Sequence, residues 1–198
     1  MMIAAAKLQT SIEIDEDREI LLRTAQGDDS AFALLTERYS GRVYGFLKRM
    51  VYSAEDAEDL TQETFCEAHK NRRKLRTDVS PLPYLFTIAR RKAISLIRWR
   101  KVRRIVLPLM DEHEAAEPDA GETPRDRMHE KRKEEIVEKI LATLKPAKRG
   151  VLILRYFEGL SYREISSVIG KPEATVKSIA YRAEEELRSK LSDLRLYE

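Results

Sequence analysis

Residues 161–190 read Ser161-Tyr-Arg-Glu-Ile-Ser-Ser-Val-Ile-Gly170-Lys-Pro-Glu-Ala-Thr-Val-Lys-Ser-Ile-Ala180-Tyr-Arg-Ala-Glu-Glu-Glu-Leu-Arg-Ser-Lys190. Ser161 and Glu164 have the spacing of a capping box, which opens a helix. Ile165, Val168 and Ile169 recur at helical offsets and face inward. Gly170 falls where a helix stop needs positive φ. Val176 and Ile179 are the inward residues of a second, longer helix. A short helix, a glycine turn and a longer helix make a helix-turn-helix. That arrangement sets the first turns of its second helix against the DNA major groove. The residues facing outward there are Lys171, Glu173, Thr175, Lys177, Ser178 and Arg182. Lys177 and Arg182 can reach phosphates or guanine edges, and Thr175 and Ser178 can bond either base or phosphate. An ordinary helical hairpin in a core would show the same cap, turn and offsets. The basic residues on the outward side favour DNA.

Upstream, Ala147 to Glu158 reads as a short, very apolar helix ended by Gly159. Lys145-Pro146 separates it from a helix that starts at Thr123-Pro124, with Thr123 as cap and Pro124 in the first turn. That helix runs to about Leu144, with Ile136, Val137, Ile140, Leu141 and Leu144 on one face. Residues 105–124 carry Pro108, Pro118, Gly121, Pro124 and six acids, with no helical period. They read as a flexible acidic linker.

The N-terminal half is also helical. A first helix spans about Asp15 to Gln26. A second starts near Ser30, with Phe32, Leu35, Tyr39, Val43, Phe46, Leu47 and Met50 at offsets of three and four. Gly41 and Gly45 lie inside it, and their cost in a helix predicts a closely packed neighbour there. Ser53 opens a third helix, with Asp56 three residues on as in a capping box. Acids crowd its start and Lys70, Arg72, Arg73 and Lys74 its end, which complements the helix dipole. Cys66 falls inside this helix and reads as a buried thiol. A loop from Leu75 to Pro83 leads to a fourth helix, about Tyr84 to Arg104. From Val79 to Met110 there is no acid, while Arg90, Arg91, Lys92, Arg98, Arg100, Lys101, Arg103 and Arg104 all fall there, interleaved with Tyr84, Phe86 and Trp99. Aromatic rings beside cations suit unpaired bases. A core role for Phe86 and a solvated face for the arginines fit the same pattern, and for Trp99 both readings stand.

The chain has 198 residues and a net charge of +3. Residues 1–104 hold 20 basic and 15 acidic side chains, 105–124 hold no Lys or Arg, and 125–198 hold 17 basic and 13 acidic. The net charges of +5, −6 and +4 describe two basic modules for a polyanion and a connector unsuited to one. We therefore expect an all-α chain of two small helical domains, 1–104 and 125–198, joined by the linker 105–124. No apolar run approaches the ~18 residues of a membrane span, so no direct membrane insertion is expected. One cysteine fits a reducing cytoplasm and excludes an internal disulfide. Three scattered histidines make no metal set, and neither a phosphate loop nor a nucleophile elbow is present. No cofactor and no enzymatic chemistry are expected.

Four stretches, in order, resemble the extracytoplasmic-function (ECF) sigma factors of bacterial RNA polymerase. They are Ala31-Phe32 through Val43-Tyr44; Ala57-Glu58-Asp59-Leu60-Thr61-Gln62-Glu63-Thr64-Phe65; Pro83-Tyr84-Leu85-Phe86-Thr87-Ile88-Ala89-Arg90; and Leu154 to Ile165 followed by Thr175-Val176-Lys177-Ser178. The resemblance implies that the third helix docks on the clamp helices of the polymerase β′ subunit through Asp59, Leu60, Gln62, Glu63 and Phe65. For Phe65 a core role is equally open. It implies that the loop with Arg76, Thr77, Asp78 and Ser80 captures a flipped base of the −10 element. Tyr84, Arg90, Arg91, Arg98 and Trp99 of the fourth helix would hold the melted strand. The helix-turn-helix would read the −35 element, and the linker would thread the polymerase channel past β and β′. Core RNA polymerase, promoter DNA and an anti-sigma factor are the implied partners. This sequence departs from the family pattern at Arg91, Ser95, Ser166 and Ile179, where Asn, Asp, Ala and Arg are usual. A stand-alone helix-turn-helix regulator is the alternative.

Overall fold

The computed structural model describes residues 16–106 and 136–195, with side chains over 16–103 and 136–192. Among the described residues there are helices and turns and no strand, as the periodicity predicts. The expected linker and the Thr123-Pro124 helix start fall largely outside them.

Helix α1 covers 16–26 and stops at Gly27, whose φ is +100°. Helix α2, Asp29–Val51, is capped by Asp28, whose carboxylate accepts from the Ser30 and Ala31 N–H groups and pairs with Arg23 at 2.8 Å. Its predicted apolar stripe, Phe32 to Met50, is buried throughout. Helix α3, Ala54–Lys70, is capped by the Ser53 hydroxyl, which accepts from the Asp56 N–H. The Asp56 carboxylate pairs with Arg100 at 2.5 Å, away from the cap. A 3-10 turn follows at Arg72–Lys74. Helix α4, Leu82–Val106, starts two residues before the expected Tyr84. Pro83 sits in its first turn, where a missing N–H costs nothing, and the Ser80 hydroxyl accepts from the Leu82 N–H. Helices α2, α3 and α4 pack on one another, with the Phe46 and Phe86 rings 5.2 Å apart at the centre.

The second half holds α5 (136–143), α6 (Pro146–Leu152), α7 (Tyr162–Ile169) and α8 (Glu173–Arg195). The single helix expected from Ala147 to Glu158 is instead α6 followed by a π-helical turn, Ile153–Phe157. The Glu158 N–H donates to the Ile153 carbonyl at 3.1 Å. Such a turn carries one extra residue. It keeps Ile153 and Leu154 wholly buried while Tyr156 and Phe157 stay 62% and 43% exposed.

Two expectations need correction. Gly41 has no neighbour within 4 Å of a built Cβ, and at Gly45 only the Arg49 side chain is near, at 3.4 Å. Gly45 makes room for its own helix's Arg49, whose guanidinium lies 4.4 Å from the Phe157 ring centroid. The close approach between halves falls at Gly150, where a Cβ would meet the Met50 sulfur at 3.6 Å. Cys66 is exposed, because α3 buries Ala57, Leu60, Thr64, Phe65 and Ala68 on the other side. The two halves also pack on each other. One apolar core runs from Leu21 through Ala93 into Val151, Ile153, Leu154, Ile165, Val168, Val176 and Ala180. The halves are two packing units docked on each other.

Candidate nucleic-acid and partner interfaces

The helix-turn-helix is built as its sequence requires. The Ser161 N–H donates to the Glu164 carboxylate at 2.8 Å, and the Glu164 N–H donates to the Ser161 hydroxyl at 3.2 Å. Gly170 takes φ +69°, ψ +37°, the left-handed turn that ends α7. Ile165, Val168, Val176 and Ala180 lock α7 against α8 from inside, and Ile179 packs half-buried beside them. This leaves Lys171, Thr175, Lys177, Ser178 and Arg182 exposed, with Glu173 half-buried at the first turn of α8. Lys177 pairs with Glu173 at 2.7 Å and lies 5.9 Å from the Tyr162 ring centroid. The sequence reading missed Tyr181, 61% exposed beside Arg182. Its offset of four from Lys177 was the available signal.

On α3, Asp59, Gln62 and Glu63 are exposed. Leu60 and Phe65 lie in the core behind them, Phe65 edge-on to Phe32 with centroids 6.4 Å apart. The exposed surface of this helix is therefore polar and acidic. Its acids also meet α4. Glu63 accepts from Lys92 at 2.8 Å, Glu67 pairs with Arg91, and Asp56 pairs with Arg100.

The loop before α4 holds Arg76 and Asp78 in a two-bond pair, at 3.0 and 2.6 Å. The Arg76 guanidinium pulls the Asp78 carboxyl below the usual range. Thr77 lies between the two, half-buried, and Ser80 follows them, exposed. Along α4 the aromatic trio separates. Phe86 is wholly buried, Tyr84 is half-buried, and Trp99 is 55% exposed with Arg103 stacked 5.3 Å from its centroid. Arg91 and Arg98 are exposed. Arg90 is half-buried; desolvation lowers its pKa, and its Nε has no hydrogen-bond partner. A groove of about 460 Å³ between α3 and α4 is lined by Leu60, Glu63, Arg91, Lys92, Ser95, Leu96 and Trp99. It joins the acidic face to the aromatic-and-cation face and contains two of the departures from the family pattern. Among the described residues no three His, Cys, Asp or Glu side chains are grouped to hold a metal, and no helix is long and apolar enough to cross a membrane.

The two halves of the chain correspond to two known domains. Residues 35–104 match the family described as Sigma-70 region 2, and residues 134–187 match Sigma-70, region 4. The RNA polymerase sigma-H factor of Pseudomonas aeruginosa is 31% identical over 189 residues, covering 91% of this chain and 96% of that protein. The ECF RNA polymerase sigma-E factor of Haemophilus influenzae is also 31% identical, covering 90% of this chain and 96% of that protein. The chain belongs to the sigma-70 family and, within it, to the ECF sigma factors. Having region 2 as well as region 4 overturns the stand-alone regulator alternative. The fold agrees with two solved structures. One is CnrH in complex with the cytosolic domain of CnrY (TM-score 0.67, 22% identity, 90% of this chain and 99% of that one). The other is the sigma factor RpoE in complex with the anti-sigma factor NepR from Bartonella quintana (TM-score 0.66, 23% identity, 81% and 96%).

Proposed function

We propose that this sigma factor binds core RNA polymerase and brings it to specific promoters, with the work divided between residues 1–104 and 125–198 around the acidic connector 105–124. The observation that carries the division is the separation of exposed side chains: acids and amide on α3, cations with Trp99 on α4, and a mixed polar face on α8. Asp59, Gln62 and Glu63 meet the polymerase β′ subunit, with Leu60 and Phe65 holding their helix in place. Arg76, Thr77, Asp78, Ser80, Tyr84, Arg90, Arg91, Arg98 and Trp99 serve the melted −10 strand, where bases stack on aromatic faces and phosphates meet cations. Lys171, Glu173, Thr175, Lys177, Ser178 and Arg182 read the −35 duplex from the major groove. The protein makes no bonds itself; the polymerase does. It works in the cytoplasm, and an anti-sigma factor holds it inactive; a structural neighbour, the sigma factor RpoE of Bartonella quintana, is solved in complex with the anti-sigma factor NepR.

Run-off transcription with core polymerase tests this. The protein is expected to start transcripts at a defined promoter that core enzyme alone ignores. Asp59→Lys with Gln62→Ala should weaken core association, while Arg182→Ala should weaken promoter binding and leave core association intact. Failure of core polymerase to retain the wild-type protein would overturn the proposal.

A further inference from the structure

A pocket of about 370 Å³ lies where the end of α2 and the C-terminal part of α4 meet α6. Met50, Val51 and Ile97 give it apolar walls, with Tyr52 beside them. Three cations line it, Arg100, Lys101 and Arg149, and no carboxylate does. At 3.6 residues per turn, Ile97 and Lys101 lie roughly 200° round α4 from Ser95 and Trp99. The pocket therefore opens on the far side of α4 from the groove that faces α3. None of its lining residues is among those proposed above for polymerase or promoter.

Arg149 is the buried cation, 5% exposed. Its Nη2 donates to the Met50 carbonyl at 2.6 Å and its Nη1 to the Ala142 carbonyl at 3.3 Å. The Met50 carbonyl is one of the last of α2, which have no partner within their own helix, so Arg149 caps α2. The guanidinium also lies 4.9 Å from the Tyr52 ring centroid. Tyr52 ends α2 with φ +56° and ψ +32°, the left-handed region that a bulky side chain rarely adopts. Among the described residues it is the only non-glycine with positive φ, and such outliers cluster at ligand clamps.

These contacts leave the charge of Arg149 uncompensated. Both acceptors are carbonyls, its Nε is buried with no hydrogen-bond partner, and no carboxylate among the described residues pairs with it. A buried charge is costly without a counter-charge, and burial holds the Arg149 pKa below its ordinary value. The acids nearby are already engaged. Asp56 pairs with Arg100, and the Glu138 carboxylate, whose own backbone carbonyl accepts from the Tyr52 hydroxyl, lies 3.6 Å from Arg49. Lys101 is exposed and has no carboxylate partner among the described residues. Two positive charges, Lys101 and Arg149, thus remain at one pocket. A phosphate monoester carries about −1.5 to −2 near neutral pH and matches them. A phosphodiester of a nucleic-acid backbone carries a single charge and matches less well. The volume falls in the range of roughly 300–1,000 Å³ that small-molecule sites occupy. We propose that this pocket binds a small phosphate monoester, its phosphate between Lys101 and Arg149 and its organic part against Ile97, Val51 and Tyr52.

The full chain is titrated with sodium phosphate at neutral pH and constant ionic strength, with Tm followed by differential scanning fluorimetry. Adenosine monophosphate and glucose phosphate are the ester probes, and adenosine is the uncharged control. The Tm should rise saturably with phosphate and with the esters, and stay level with adenosine. A hydrogen bond to a charged group is worth about tenfold in affinity or more, so Lys101→Ala should raise the apparent Kd at least about tenfold. Lys70→Ala, an exposed cation at the end of α3, should leave it unchanged. Lys101→Glu places a carboxylate beside Arg149 and should abolish the response in a folded protein. Calorimetric titration with the two esters then shows whether a nucleoside or a sugar is preferred. The absence of a saturable rise, or an equal rise in Lys101→Ala, would overturn the site. So would esters bound about tenfold more weakly than inorganic phosphate. Displacement of bound phosphate by a promoter duplex would assign these cations to the DNA backbone and overturn it as well.

Discussion

Lys177→Ala gives the sharpest reading of how α8 holds DNA. Lys177 is exposed near the start of α8 and is held by Glu173 at 2.7 Å. Both side chains are roughly half exposed, at 57% and 43%, so the pair is worth at most ~0.5 kcal/mol and yields readily to DNA. A lysine is a flexible point charge without the fixed fork that reads guanine in two bonds, so Lys177 is expected on a phosphate. One phosphate contact adds about 0.9 to the slope of log affinity against log salt. Between 50 and 200 mM salt the wild-type holoenzyme should therefore lose ~3.5-fold more affinity than the variant. Removing Lys177 also leaves the Glu173 carboxylate facing the DNA alone. Glu173→Gln with Lys177→Ala should recover part of the loss at low salt. Fluorescence anisotropy of a labelled promoter fragment with holoenzyme, across a salt series and a set of −35 substitutions, measures both. An unchanged salt slope, with a loss confined to one base pair, would refute the phosphate assignment.

Gly170→Ala meets no atom within 4 Å, so its cost is the left-handed backbone alone, about 1–2 kcal/mol, read as a lowered Tm with weaker promoter binding. Phe86→Ala empties a wholly buried site and should cost about 3–5 kcal/mol in denaturant unfolding. Trp99→Ala, 55% exposed, should leave unfolding nearly unchanged and slow promoter opening, with about 1–3 kcal/mol lost per stacked base. The Asp28 carboxyl is held below its usual 3.8, first by the Ser30 hydroxyl and then by Arg23. Its stabilisation is present above pH 3.8 and is lost as pH falls below it toward the folded value, so the Tm advantage over Asp28→Asn should shrink in that acid range.

Most of the fold was legible because its elements are locally determined. The stripe from Phe32 to Met50, the Ser53 and Ser161 caps and the Gly170 stop are each readable from spacing, and each is found in place. The candidate faces were legible for the same reason, since helical offsets fix which side of α8 carries Lys177 and Arg182. What spacing does not give is long-range partnership. Nothing local distinguishes the glycine that meets a neighbour, Gly150, from the one in open solvent, Gly41. Nothing local says that Arg149 will cap a helix a hundred residues away, because the carbonyl it satisfies belongs to Met50. The π turn was hidden too, because the apolar run from Val151 to Phe157 suits any helical period.

The charge distribution shows what this long-range layer does to function. Counted along the chain, residues 1–104 look like an acidic helix and a basic helix with separate tasks. In the fold those helices lie side by side, and their charges meet as Glu63 with Lys92, Glu67 with Arg91 and Asp56 with Arg100. Each pair keeps one member well exposed, Glu63 at 58%, Arg91 at 64% and Arg100 at 39%, with its partner at 20–27%. Exposed pairs of this kind contribute about 0–1 kcal/mol each. They neutralise the free protein at little cost and are exchanged as cheaply for the charges of a partner. Docking of polymerase on α3, as proposed, would release the Lys92 and Arg91 side chains beside Trp99, on the helix proposed to hold DNA. On that proposal, docking the acidic face and freeing the basic one would be parts of a single event, through side chains that bridge two adjacent helices.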